Sequence, residues 1–158
     1  MYTVCSLTFE DYLQKVIEFH GHAAPGMLIG GCMIDMAYRH LPEGPLFDVI
    51  VETPKCLPDA VQLLTPCTVG NGWLRIINLG RYALSMYDKA DGAGVRVYVD
   101  SDRIAGWPNL QDWFFKRVPK KDQDREAIFS EIRRAGSRIC ALRRIRVAPD
   151  FLVRRRRG

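Results

Sequence analysis

The run Trp73-Leu74-Arg75-Ile76-Ile77-Asn78-Leu79-Gly80-Arg81-Tyr82-Ala83-Leu84-Ser85-Met86-Tyr87, continued by Gly94-Val95-Arg96-Val97-Tyr98-Val99, decides the fold class. It holds three strand patterns, Trp73 to Leu79, Tyr82 to Tyr87 and Gly94 to Val99. Turn residues at Asn78–Gly80 and Lys89–Gly92 separate them, which predicts a meander of antiparallel neighbours. Upstream, Phe47 to Glu52 is a further short strand. Pro58 then opens a short helix, Asp59 to Leu64, Pro66 ends it, and Cys67 to Gly72 is a loop.

Two helices precede these strands. Thr8 is an N-cap, and Phe9, Leu13, Val16, Ile17 and Phe19 recur at three and four residues before Gly21 stops the helix. Pro25 suits the first turn of a second helix, which is apolar nearly all round to Leu41 and so belongs at the centre. Its Gly30-Gly31 pair predicts close approach of another backbone. Helix, helix, strand, helix and three strands read as α+β, with helices on one face of a sheet. After Gly106-Trp107-Pro108, a short helix over Leu110 to Phe115 is expected, then one capped by Asp122 and running to Ala135. Ile139 to Val147 alternates apolar residues with arginine and reads as an edge strand.

With 158 residues, 47% apolar and 26% charged, the chain matches a globular domain. No apolar run reaches the roughly 18 residues that span a bilayer, and the N-terminus lacks a signal-peptide pattern; a cytoplasmic protein is expected. Five cysteines, with no Cys-x-x-Cys pair, argue against a disulfide framework and a zinc ribbon. Residues 116–158 hold 15 of the 23 Lys and Arg and 5 of the 18 acids. A division into residues 1–115, carrying the site, and a basic extension, 116–158, is therefore expected, the two facing different partners. The final residues, Arg154, Arg155, Arg156 and Arg157, are expected to be disordered and to make nonspecific contact with anions. The absence of a groove-reading motif argues against sequence-specific nucleic-acid recognition.

Chemistry concentrates at His20-Gly21-His22 and at the cysteine-bearing stretch from Cys56 to Gly72. Imidazoles at one helix junction and thiols in a small-residue loop suit a soft nitrogen and sulfur metal site. His20, His22 and Cys67 are the expected ligands, with Cys56 as a fourth. Asp59 and Gln62 share a helical face; the carboxylate either orients a ligand imidazole or complements the helix dipole. Pro25 and Gly26 bring a helix N-terminus beside the histidines. Thr68 and Gly70, in the Cys67 loop, offer backbone amides to an anionic ligand, or simply form a tight turn. His40 reads as a C-terminal cap, and Cys5, Cys32 and Cys140 as structural thiols.

Several of these motifs, in this order, resemble the FmdE-like family, named after a component of formylmethanofuran dehydrogenase. They are Phe19-His20-Gly21-His22, Pro25-Gly26, Glu52-Thr53, Cys56, Asp59-Ala60-Val61-Gln62, Thr65 with Cys67-Thr68, Gly70, Gly72 and Gly80-Arg81-Tyr82-Ala83, spread over residues 8–100. The resemblance implies a small mixed sheet, a homodimer, and a zinc-type site built from His-Gly-His and the loop cysteine. It also implies a role beside a molybdenum or tungsten redox enzyme. The chain departs from the family in three ways: Ala24 stands where cysteine is common, Pro66 where glycine is common, and no Cys-x-x-Cys ribbon follows.

Three functions are then expected in competition. In the first, the protein binds a transition metal, zinc foremost, as an accessory to a redox enzyme; an enzymatic role would use an open metal position, with Asp59 and Glu52 the nearest bases. In the second, haem occupies the same pocket, with Met27 and Met33 as further axial candidates. The third is a cofactor-free scaffold that docks acidic partners through its basic tail.

Overall fold

A computed structural model gives the protein's fold over residues 3–43 and 46–152. A two-stranded hairpin of β1 (Thr3–Val4) and β2 (Leu7–Thr8) leads into α1 (Phe9–His20) and α2 (Pro25–Arg39). Then follow β3 (Phe47–Val51), α3 (Leu57–Leu64), β4 (Leu74–Ile76), β5 (Ala83–Asp88) and β6 (Ala93–Val99). The chain closes with α4 (Ser101–Ile104), α5 (Pro108–Phe115), α6 (Arg125–Ala135) and β7 (Cys140–Arg146). The fold is α+β.

Local chemistry sets the helix ends. The Thr8 hydroxyl accepts from the Asp11 N–H at 3.1 Å, capping α1. Gly21 ends it at φ +95°, where a side chain would be strained, and its N–H reaches the Ile17 carbonyl at 3.0 Å. Helix α6 is capped by Asp124 rather than Asp122, which lies in a short 3₁₀ turn over Lys120–Asp122. His40 occupies the C-cap of α2, its Nδ1 2.8 Å from the Met36 carbonyl oxygen.

The five-stranded sheet runs β4-β3-β5-β6-β7 and is mixed: β4 pairs parallel with β3, and every other pairing is antiparallel. This corrects the expected meander. Strand β4 does not neighbour β5; it pairs with the far side of β3, after a crossover through α3. A parallel neighbour requires such a crossover. Strand β7 closes the opposite edge, as its arginines predict.

Helix α2 forms the centre of the helical layer. Met27, Leu28, Ile29, Met33 and Ile34 are completely buried, each worth about 1.5–3 kcal/mol on removal from water. Met27 and Met33 are thus core side chains, the commoner place for methionines at helical spacing. A Cβ on Gly30 would lie 2.9 Å from the Ala60 Cβ, so the missing side chain lets α3 approach. At Gly31 the neighbour is instead the Tyr12 ring from α1.

Residues beyond 116 are continuous with the rest: Ile128, Ile132, Ala135, Ile139 and Cys140 join the same buried cluster, and β7 joins the same sheet. Buried Glu131 on α6 holds the start of α5. Its carboxylate accepts from the N–H groups of Leu110 (2.8 Å) and Asn109 (3.2 Å) and from the Asn109 side-chain amide (3.1 Å). Glu131→Ala strands those donors, and a loss of about 2–3 kcal/mol is expected. The check is urea unfolding, with a lower midpoint at an unchanged slope. Among the described residues, no helix is long and apolar enough to cross a membrane. Arg154 to Arg157, with their expected disorder and anion contacts, lie outside the described residues.

Candidate functional site

His20 is the last residue of α1, and the turn at Gly21 carries His22 alongside it, with ring centroids 5.0 Å apart. The Asp59 Oδ2, from the first turn of α3, is 2.7 Å from the His20 Nδ1. A carboxylate only accepts, so Nδ1 is the donor, and in the neutral ring this leaves Nε2 as the nitrogen with the lone pair. The Gln62 amide donates to the other Asp59 oxygen at 3.4 Å, and its carbonyl accepts from the Val69 N–H at 3.2 Å. Gln62, Asp59 and His20 therefore form a fixed chain ending on Nε2.

That nitrogen faces the Cys56 Sγ at 3.8 Å. Cys56 is the N-cap of α3, at φ +61° and ψ −49°, a conformation that costs a non-glycine residue about 1–3 kcal/mol. Its side chain makes no capping bond. In this conformation the thiol faces His20. Burial, then Asp59, pushes this thiol's pKa up, while Lys120 and Lys55 pull it down. Gly26 completes the packing: a Cβ there would lie 2.8 Å from the Tyr82 hydroxyl and 2.9 Å from the Cys56 Cβ. The Tyr82 hydroxyl donates to the Gly26 carbonyl. Pro25 begins the helix beside them, and Ala24, buried, stands at its N-cap.

Cys67 is elsewhere. It lies beyond the opposite end of α3, 1% exposed, with its Sγ 3.5 Å from the Phe47 carbonyl oxygen at the start of β3. Cys56 precedes α3 and Cys67 follows it, so eight helical residues, about 12 Å, lie between them. The expected convergence of Cys67 with the histidines is therefore corrected. Thr68 and Gly70 lie with Cys67, in a tight turn. Thr68 exchanges hydrogen bonds with Asn71, the Thr68 N–H to Asn71 Oδ1 and the Asn71 N–H to Thr68 Oγ1, each 3.0 Å. Gly70 lies exposed in that turn. Among the described residues, no group of three or more His, Cys, Asp and Glu side chains stands in a metal-holding arrangement.

The His20–Cys56 pair lies in the wall of a half-open cleft of about 1990 Å³. The cleft runs from the α1–α2 junction across the ends of β3 and β6, and the stretch from Trp113 to Arg125 forms its far side. Eight Lys and Arg line it against two acids, Asp100 and Asp102. Arg96 is held by Glu52 through two bonds of 2.7 and 2.9 Å, which raise its pKa, and its guanidinium lies over the Tyr98 ring. The Tyr98 hydroxyl accepts from exposed Arg143. Tyr82 and Trp113 meet edge to face at 6.0 Å. Loss of hydration, with His20, Lys120 and Arg125 nearby, lowers the His22 pKa.

Sequence reading missed this far wall. The Lys120–Arg125 stretch read as part of a separate basic extension and Arg143 as an edge guard, yet both face the same cleft as His20. The basic third and the histidine turn thus share one cleft. The available signal was Trp113-Phe114 immediately before a lysine-rich loop.

A family model described as FmdE, molybdenum formylmethanofuran dehydrogenase operon, matches residues 19–145. The chain is 48% identical to a tungsten formylmethanofuran dehydrogenase FmdE-like protein from Syntrophus aciditrophicus whose crystal structure is known. That match covers 96% of this chain and 80% of the other, with a TM-score of 0.87. A protein of Archaeoglobus fulgidus named "Probable S-adenosyl-L-methionine-binding protein" is 38% identical over 100 residues. That alignment covers 58% of this chain, which spans only 27% of the relative's length. The matched region runs from the His20 turn through β7 and so takes in both walls of the cleft, and on that basis the chain belongs to the FmdE family.

Proposed function

We propose that the protein is a metal-binding accessory to a molybdenum- or tungsten-type redox enzyme, holding one zinc-class ion at His20 and Cys56. The observation carrying this reading is the oriented imidazole facing a thiol. Tetrahedral zinc, with nitrogen at about 2.1 Å and sulfur at about 2.3 Å, sets those donors about 3.6 Å apart. His20 Nε2 and Cys56 Sγ are 3.8 Å apart, and Asp59 on Nδ1 supplies the outer carboxylate usual at such sites. His22, exposed beside His20, is the third protein donor. When bound, the ion supplies a Lewis acid with a coordination position open to the cleft. Asp59 fixes the donor nitrogen of His20, and Gly26 leaves room for Cys56.

The family's operon association supports an enzyme partner, and the family resemblance supports a homodimer. The name of the Archaeoglobus relative points to another ligand, S-adenosylmethionine. That molecule carries a net positive charge, and a wall of eight cations against two acids repels it.

The test is elemental analysis of untagged protein alongside three variants. About one zinc-class ion per chain is expected. His20→Ala and Cys56→Ala should lose it while retaining their far-ultraviolet circular dichroism, and Cys67→Ala should keep it. Full metal content in both of the first two variants, or none in the wild type after zinc addition, rejects the reading. A strong Soret band in the purified protein would assign the pocket to haem instead.

A further inference from the structure

We infer that the basic cleft is a binding site for a ring-bearing phosphate ester of nucleotide size. The reading concerns the far wall rather than the metal ligands, and it holds with or without the ion.

The first argument is uncompensated charge. Of the eight basic residues lining the cleft, only Arg96 has a carboxylate partner among the described residues, Glu52. Lys55, Arg81, Lys116, Lys120, Lys121 and Arg125 form no ion pair there, and Arg143 bonds only the Tyr98 hydroxyl. Elsewhere the protein does pair its cations: Arg39 with Asp35, Lys89 with Asp48, Arg133 with Glu10. Like charges drawn into a concavity repel one another, and low-dielectric walls intensify their field. An anion relieves that repulsion. Arg125 is placed against local stability too, since a cation in the first turn of α6 opposes the helix dipole.

The second argument is the arrangement of the charge around rings. Lys120 and Arg125 line the same cleft as His22, while Arg96 and Arg143 reach it from β6 and β7 of the sheet. Between these groups stand Tyr82 and Trp113, half-buried and edge to face, with Phe114 next to Trp113 at 6.1 Å. Aromatic faces bind planar ring systems, and guanidinium groups bind phosphate bidentately. A ligand with both parts uses the whole surface, whereas inorganic phosphate would leave the rings unused. The volume, about 1990 Å³, is above the usual range for small-molecule sites and admits a ligand of mononucleotide or dinucleotide size.

Isothermal titration calorimetry on EDTA-treated and on zinc-loaded protein tests this, with ADP, GDP and FMN as probes and adenosine and inorganic phosphate as fragments. At least one phosphorylated probe should bind at micromolar concentration in both preparations, each fragment at least about 100-fold more weakly. Arg143→Glu, and Lys120→Glu combined with Lys121→Glu, should each weaken binding at least about 10-fold. Lys15→Glu, on the exposed face of α1, matches the charge change of Arg143→Glu and should leave binding unchanged. No probe bound below about 1 mM, phosphate bound as tightly as the nucleotides, or an equal loss from Lys15→Glu would each overturn the inference. Because metal content is measured separately, failure of this site and failure of the metal site are distinguishable.

Discussion

Gly31→Val is expected to cost at least about 3 kcal/mol of stability, the largest loss anticipated for any single substitution considered. A Cβ at this position would lie 2.6 Å from the Tyr12 Cζ and 2.9 Å from its hydroxyl oxygen. Tyr12 cannot retreat: it is completely buried, and its hydroxyl donates to the Met27 carbonyl at 2.5 Å. Replacing a mid-helix glycine by alanine ordinarily gains about 1 kcal/mol in helix propensity, and a β-branched residue gains less. Against that stand overpacking of about 1–3 kcal/mol and loss of the Tyr12 hydrogen bond, about 1 kcal/mol. Sterics win. Thermal unfolding followed by circular dichroism checks the prediction, and Tyr12→Leu in the same chain should recover part of the loss if the ring is the obstacle. An unchanged melting temperature would contradict the packing described between α1 and α2.

Asp59→Ala is expected to weaken zinc binding about 10- to 100-fold while lowering stability by under about 1 kcal/mol. The carboxylate has two roles open to it. As a charge in the first turn of α3 it would affect only the helix, whereas as the partner of His20 Nδ1 it fixes the tautomer presented to a metal. Competition of wild type and variant for zinc against a chromophoric chelator, beside their urea unfolding curves, separates the two. Equal zinc affinity with a small stability loss would leave Asp59 as a helix-dipole residue alone. Gln62→Ala should move affinity in the same direction by less, because Asp59 keeps its bond to the ring.

The sequence made the helices and the core legible because their determinants are local. Thr8, Gly21 and Pro25 punctuate α1 and α2 within one turn, and the apolar run of α2 has no reading but burial. The edge position of β7 was equally plain from its arginines. The position of β4 was not, since a strand's own residues do not name its partner. The signal lay one level up: strand, helix and strand in β3, α3 and β4 form the crossover unit that parallel pairing demands. The site divided along similar lines. His20 and Asp59 were proposed from motif and helical spacing, and the fold brings them together. Cys67 was proposed because its loop looked like a site, but helix length separates it from His20. The far wall, assembled from residues 113–143, escaped because net charge along a chain says nothing about which surface the fold turns inward.

The Glu131 cap ties α5 to α6, and Arg133 on α6 pairs with Glu10 on α1, the helix that ends at His20. Tyr82, which meets Trp113 on the bank and bonds the Gly26 carbonyl beside Cys56, is the link between the two sides. A substitution at Tyr82 would therefore be felt on both sides at once, at the rings and at the thiol. Whatever fills the cleft and whatever the imidazole and thiol hold are thus coupled through one phenol ring.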